Sequence, residues 1–249
     1  MPGSDIRNLK AVIAYDGTSY VGWERQKNGL GIQEVLEEAV HTITRERVVV
    51  HGSGRTDAGV HAWGQVASFA IQNDIHPNKL RLGLNAVLPP DVAVLSIEEV
   101  APEFHARRSA KSKLYRYTIL NDPARRPHAR FTSYHFPQAL DVDAMARGAR
   151  HLEGTHDFSA FAREADRKKT CVRTILCARV LAESPFVHVE LEGTGFLYNM
   201  VRIVTGTLIE IGTGRRSPDR IPELIAGKAR DDSGYTVPPQ GLALCVVRY

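Results

Sequence analysis

"RVVVHGSGRTDAGVHAWGQVASFAI", residues 47–71, sets two apolar runs on either side of a glycine-rich loop that holds a single carboxylate, Asp57. "RVVVHG" and "GQVASFAI" are rich in β-formers and bounded by turn residues, so both are predicted to be strands. Asp57 would then project from a strand-to-strand connection on a structured support. Gly52, Gly54, Gly59 and Gly64 permit positive φ and a close approach of backbone to a ligand. Two accounts of Asp57 stay open at this level. It hydrogen-bonds its own turn, as Asp before Ala-Gly often does, or it does chemistry in a place the glycines keep clear. Arg55 would hold the carboxylate ionised, the state a nucleophile or base requires, or would form a structural ion pair.

Upstream, "LKAVIAY" (residues 9–15) reads as a buried strand closed by the turn "DGTS". From Ile32, apolar residues recur at Val35, Leu36, Ala39, Val40 and Ile43, the spacing of a helix. Downstream, Leu80, Leu84, Val87 and Leu88 share the face of a second helix, stopped by Pro89-Pro90, and "VAVLSIEEV" follows as a strand. The order then repeats. "KLYRYTIL" is a strand, and Asp141 caps a helix carrying Val142, Met145, Ala146 and Ala149. "TILCARVLA" and "FVHVELEG" form a strand pair, the second with one wet face. A long helix runs from Phe196 to "GTG", and "LALCVVRY" is a final strand.

Two β-α-β-β-α-β runs predict an α+β protein of two related halves with antiparallel sheets, residues 1–107 and 108–249, joined near the basic stretch "EFHARRSAKSK". "NDPARRPHARF" (121–131) reads as an exposed loop.

Composition narrows the class. The chain has 249 residues, 43% hydrophobic and 24% charged, with a net charge of +4, which permits nucleic-acid binding without demanding it. Cys171, Cys177 and Cys245 lack the spacing of a zinc framework, and Cys177 and Cys245 lie in apolar runs that predict buried thiols. No metal site is expected. "MPGSDIRNLK" has no signal-peptide core, and no apolar run approaches the roughly 20 residues of a membrane span, so a cytoplasmic protein without membrane attachment is expected.

Two further stretches carry candidate chemistry. Tyr115 and Tyr117 share one face of a strand, either as core packing or as a stacking platform for a nucleobase. Arg107, Arg108, Lys111 and Lys113 would suit a phosphate backbone or simply form a solvated linker. In "GTGFLYNMVRIVTG", Arg202 sits within a strongly apolar helix. An inward Arg needs a partner there, Asp57 being the attractive candidate, unless the side chain reaches the surface.

These residues also carry a resemblance. "GSGRTDAGVHAWGQV", "FHARRSAKSKLYRY" and "FLYNMVRIVTGTLIEIGTGR", with "YDGTSYVGWERQ" before them and "PPQGLALCVVRY" after, resemble the TruA family of tRNA pseudouridine synthases, in order along nearly the whole chain. The resemblance implies cofactor-free conversion of uridine to pseudouridine at positions 38, 39 and 40 in the anticodon stem-loop of tRNA, by a homodimer. It implies RRM-like or ferredoxin-like halves forming a continuous antiparallel sheet, with helices on one face and a central cleft. Asp57 would be the catalytic aspartate, with Arg55 beside it. Tyr115 would lie under the target base, Arg202 would pair with the aspartate, and Leu242 would be an apolar contact to the base. A uridine in a stem would have to be flipped out of the duplex. Glu24, where the family more usually has glutamine, Gly31-Ile32 in place of Thr-Val, and Trp63, larger than usual in bacterial members, are departures. Without the Asp57 loop, the basic residues and sheet tyrosines would fit a catalytically silent RNA-binding protein. A metal-dependent phosphohydrolase would need Asp57 and His61, joined by residues such as His51 or Asp16.

Overall fold

A computed structural model describes residues 6–162, 170–227 and 232–249. The chain forms two compact units, one of residues up to Lys111 together with Leu244–Tyr249, the other Ser112–Ala243. Both are mixed α/β.

The first unit begins with β1 (Arg7–Tyr15), whose alternation buries Leu9, Ala11, Ile13 and Tyr15 on one face. Helix α1 (Ile32–Thr44) buries Ile32, Leu36, Ala39 and Val40, as its spacing predicts. Of "RVVVHG" only β2 (His51–Gly52) is strand, paired with β3 (His61–Ile71). The β-branched run before it is irregular, and the Val50 N–H donates to Glu37 Oε1 of α1 at 3.0 Å instead of to a strand. β3 starts three residues earlier than predicted and is buried on both faces for most of its length. Helix α2 (Pro77–Val87) buries Leu80 and Leu84, whereas Val87, expected on that face, is exposed at the helix end. β4 (Val92–Val100) pairs antiparallel with β1, and β1 with β3. The order β4-β1-β3, with β2 on β3, is the 4-1-3-2 order of a β-α-β-β-α-β unit.

The second unit repeats part of this plan. It contains β5 (Ser112–Leu120), the two-residue β6 (Tyr134–His135) parallel to β5, α3 (Val142–Arg150), β7 (Gly154–Asp157), β8 (Val172–Glu183) and β9 (Phe186–Gly193). β5, β9 and β8 follow in antiparallel order with β7 beyond, the same 1-3-2 arrangement. Asp141 caps α3, its Oδ1 accepting from the Ala144 N–H at 2.8 Å. Helix α4 (Met200–Gly212) starts at Met200 rather than Phe196, because Asn199 turns the chain with φ 58°. α5 (Arg220–Gly227) and β10 (Leu242–Arg248) complete the chain, β10 passing from the second unit into the first. The face of β9 expected to be wet is partly closed. His188 is buried, Glu190 accepts from Arg116 at 2.6 and 2.8 Å, and Glu192 accepts from Ser112 at 2.7 Å. Cys177 and Cys245, expected to be buried, are of intermediate exposure, whereas Cys171 is buried. No helix of the described residues is long and apolar enough to cross a membrane.

Candidate active site

The Asp57 loop is held by the segment Gly17–Glu24, some 35 residues before it. Gly22 and Asp57 form an antiparallel bridge, and the Trp23 N–H donates to the Thr56 carbonyl at 3.1 Å. The Gly59 N–H donates to the Tyr20 carbonyl, and the Val60 N–H closes the turn on the Asp57 carbonyl. The same segment is tied to the start of α1, since the Ile32 and Gln33 N–H groups donate to the Gly22 and Trp23 carbonyls. Side chains tie the flanks. The Tyr15 hydroxyl lies 2.7 Å from Thr56 Oγ1, Ser53 Oγ donates to Gln65 Oε1 at 2.6 Å, and Gln65 Nε2 donates to the Gly54 carbonyl. Burial pushes the Tyr15 hydroxyl up to about 12, so it stays protonated and available as a donor. Asp57 therefore sits, half-buried, on backbone pinned on both sides.

The glycines serve this clamp more than they serve a ligand. Of the four in the loop, only Gly59 has a positive φ, 75°. A Cβ on Gly52 would stand 2.4 Å from the Trp23 indole, and one on Gly64 would stand 2.5 Å from the Cys245 carbonyl oxygen. The decisive glycine lies outside the loop. Gly22 has φ +112°, and a Cβ there would stand 2.5 Å from the Thr56 carbonyl oxygen. Sequence reading passed over Gly22, Tyr15 and Gln65. "YDGTSYVGWE" has no periodicity that marks a strand or helix, and its hydrogen-bond partners lie far along the chain.

Arg55 does not act through Asp57 in this structure. Its Nε donates to the Glu24 carboxylate in an exposed ion pair. His61, buried, places Nδ1 3.0 Å from the Gly17 N–H and 3.1 Å from Asp16 Oδ1. A nitrogen that accepts from Gly17 has no hydrogen for Asp16, so this edge of the ring serves the backbone. Trp63 projects from β3 with half its surface exposed (50%). Among the described residues, no group of three or more His, Cys, Asp or Glu is arranged to hold a metal ion.

Tyr115, Arg202 and Leu242 belong to the second unit. Tyr115, on β5 opposite Leu191, is buried to 8% exposure, and the Phe196 ring meets it edge-on, centroids 5.1 Å apart. Tyr117, two residues on, is fully buried. Its hydroxyl donates to the Pro238 carbonyl at 2.7 Å, and its ring underlies Gly241, where a Cβ would come within 2.7 Å. Tyr117 is thus core, and the platform reading survives for Tyr115 alone. Eleven of the thirteen residues of α4 are buried, and Arg202 and Glu210, eight apart on one face, are the two that are not. Arg202 Nε donates to the Val237 carbonyl and Nη1 to Asn199 Oδ1, each at 2.8 Å, and Glu210 is paired with Arg216. These contacts explain how an apolar helix carries a guanidinium. Leu242 is buried at the start of β10, behind the turn Pro239–Gly241. Of the basic candidates, Arg107, Arg108 and Lys111 are exposed in the first unit and Lys113 is half-buried on β5 of the second.

The sequence pattern of the tRNA pseudouridine synthase family matches residues 11–107 and 149–249. The chain is 48% identical to tRNA pseudouridine synthase A of Geobacter sp. (strain M21), over 98% of this chain and 99% of that protein. It is 47% identical to the protein of the same name from Citrifermentans bemidjiense, over 98% of each. With that of Acetivibrio thermocellus it shares 44% identity, over 98% of this chain and all of the relative. Matches running nearly end to end, to the family pattern and to these relatives alike, place the chain in the tRNA pseudouridine synthase family, isomerases that act on uridines in tRNA.

Proposed function

We propose that the protein converts uridine to pseudouridine at positions 38, 39 and 40 of the tRNA anticodon stem-loop, with Asp57 as the catalytic carboxylate. The observation that carries this reading is the clamp on the Asp57 loop, whose bridge to Gly22 and turn on Val60 fix the backbone on both sides of the carboxylate. A group that must meet one atom of a rotating base needs such fixed support.

The reaction breaks the N1–C1′ glycosidic bond, turns the uracil, and forms a bond from C1′ to C5. The C5 proton is then lost to solvent and N1 takes up one proton, so the product is an isomer of the substrate and no electrons are gained or lost. Asp57 acts ionised, attacking C1′ or the base or drawing a sugar proton, and the enclosing site keeps the detached uracil from escaping. Arg202 is the guanidinium that favours the ionised carboxylate. Tyr115 supports the flipped base by stacking, its ring braced by Phe196, and Leu242 is the apolar contact to the base. Flipping the uridine out of the stem precedes chemistry. Arg107, Arg108, Lys111 and Lys113 contact RNA phosphates, and a homodimer doubles the +4 charge available to them.

Tritium release from tRNA carrying [5-³H]uridine in the anticodon arm tests this directly. Release is expected from the wild type and not from Asp57→Asn, with tRNA binding kept. Wild-type release by Asp57→Asn would remove the assignment of Asp57, and tRNA binding without release by the wild type would leave the catalytically silent RNA-binding reading.

A further inference from the structure

In the first unit a cavity of about 650 Å³ opens beside the Asp57 loop, lined by Glu24, His51, Arg55, His105, Arg107 and Arg108 among others. Three guanidinium groups face one carboxylate, leaving a net positive cleft. The wall bearing Arg107 and Arg108 is built, not trailing. Ala106 is buried, its N–H donates to Ser68 Oγ of β3 at 3.1 Å, and its carbonyl accepts from the Tyr249 hydroxyl at 2.7 Å. His105 and Ser109 close the turn on each other, through His105 N–H to Ser109 Oγ and Ser109 N–H to the His105 carbonyl.

The histidines form part of the same wall. His51, placed on β2 opposite Ser68, stacks on His105 with ring centroids 5.0 Å apart. His105 Nδ1 accepts from the Arg107 N–H at 3.1 Å, so the hydrogen of the neutral ring sits on Nε2, a donor. Burial and the neighbouring Arg108 hold His105 below its ordinary value, keeping that neutral form near pH 7.

The carboxylate in this cleft is the unusual member. Glu24 holds Arg55 although both side chains are well exposed, 40% and 67%, and an ion pair so open contributes little. A guanidinium fork matches a phosphate at least as well as a carboxylate. We propose that this cleft seats a backbone phosphodiester of the RNA on Arg107, Arg108 and His105, and that Glu24 is a built-in stand-in anion which the phosphodiester displaces from Arg55. The inference rests on the tRNA reading above and adds to it a seat, a neutral donor and an internal competitor.

Filter binding of an unmodified tRNA transcript across a salt series tests it, using the full chain with unfolding curves as a check on each variant. Arg108→Ala should weaken binding about tenfold and lower the slope of log Kd against log salt by about one. Lys79→Ala, which removes an exposed charge from α2, should do neither. Glu24→Gln should bind about threefold more tightly, and that gain should vanish in an Arg55→Ala background. Binding by Arg108→Ala equal to that of Lys79→Ala overturns the seat, and Glu24→Gln binding no tighter than wild type overturns the stand-in. Tritium release by the wild type separates the two readings. If it occurs while these variants bind as the control does, only the cleft is wrong; if it is absent, the isomerase assignment itself fails.

Discussion

Gly22 and Asp57, 35 positions apart, are bridged backbone to backbone, and Gly22 takes a conformation, φ +112°, that presses it against the loop it holds. The backbone that carries the carboxylate is therefore held by a residue with no side chain, 35 positions away.

Gly22→Ala should accordingly be severe. An L-residue at that φ is strained by about 1 kcal/mol, and its Cβ would also overlap the Thr56 carbonyl, bringing the expected loss to about 2–4 kcal/mol. Turnover should fall at least about tenfold through displacement of Asp57. Gly214→Ala is the control, with φ +73° and nothing within 4 Å of the added carbon, and should cost about 1 kcal/mol with turnover kept. Thermal unfolding and tritium release on the two variants decide the matter, and equal behaviour would show that the contact to Thr56 is soft.

Asp57→Asn keeps the shape of the loop and removes the charge. Turnover should drop by about 10³-fold or more, while tRNA affinity stays within about threefold. Single-turnover kinetics would expose a slow chemical step even if binding masks it in steady state.

The two sheet tyrosines should separate cleanly. Tyr117→Phe strands the Pro238 carbonyl and should cost about 1–3 kcal/mol of stability with little effect on chemistry once folded. Tyr115→Ala should weaken turnover through lost stacking, roughly 1–3 kcal/mol in the transition state. If Tyr117→Phe were the catalytic lesion and Tyr115→Ala the merely unstable one, the platform would be misassigned.

Acid should destabilise the second unit through His188. The ring is buried beside Arg116 and touches Thr118, with Glu183 and Glu190 facing it as well. Burial first, then Arg116, lowers its pKa, against the opposing pull of the two glutamates. The unfolded chain therefore binds more protons than the folded one just below the ordinary value of 6.5. Its contribution is complete above that value and is lost as pH falls through the lowered one. His188→Gln should shrink the drop in urea midpoint between pH 7.5 and pH 5.5; an unchanged drop would place the acid sensitivity elsewhere.

Much of this architecture is written in local pattern. The spacing from Ile32, the alternation in β1, the Asp141 cap and the apolar density of α4 are each set by neighbours within a few residues, and burial follows that periodicity. The loop carrying Asp57 was legible for the same reason, as a run of turn residues between apolar strands. Local pattern misled in "RVVV" before β2, where the Val50 N–H turns to the Glu37 side chain, and at Val87, the last residue of α2, which is exposed.

By itself the sequence determined most of the elements and their order, the presence of an aspartate on a loop and the family, while β6, β7 and α5 carry too little periodicity to be read from it. The tertiary structure decided which partner each group takes. Arg55 had several carboxylates within reach of a reading and took Glu24; the loop glycines met Trp23 and Cys245 rather than open space; Gly22, silent in the sequence, became the clamp. Periodicity is a property of adjacent residues, whereas hydrogen bonds and ion pairs between distant segments depend on where the whole fold brings them, and that is why the elements could be read directly and the wiring of the site could not.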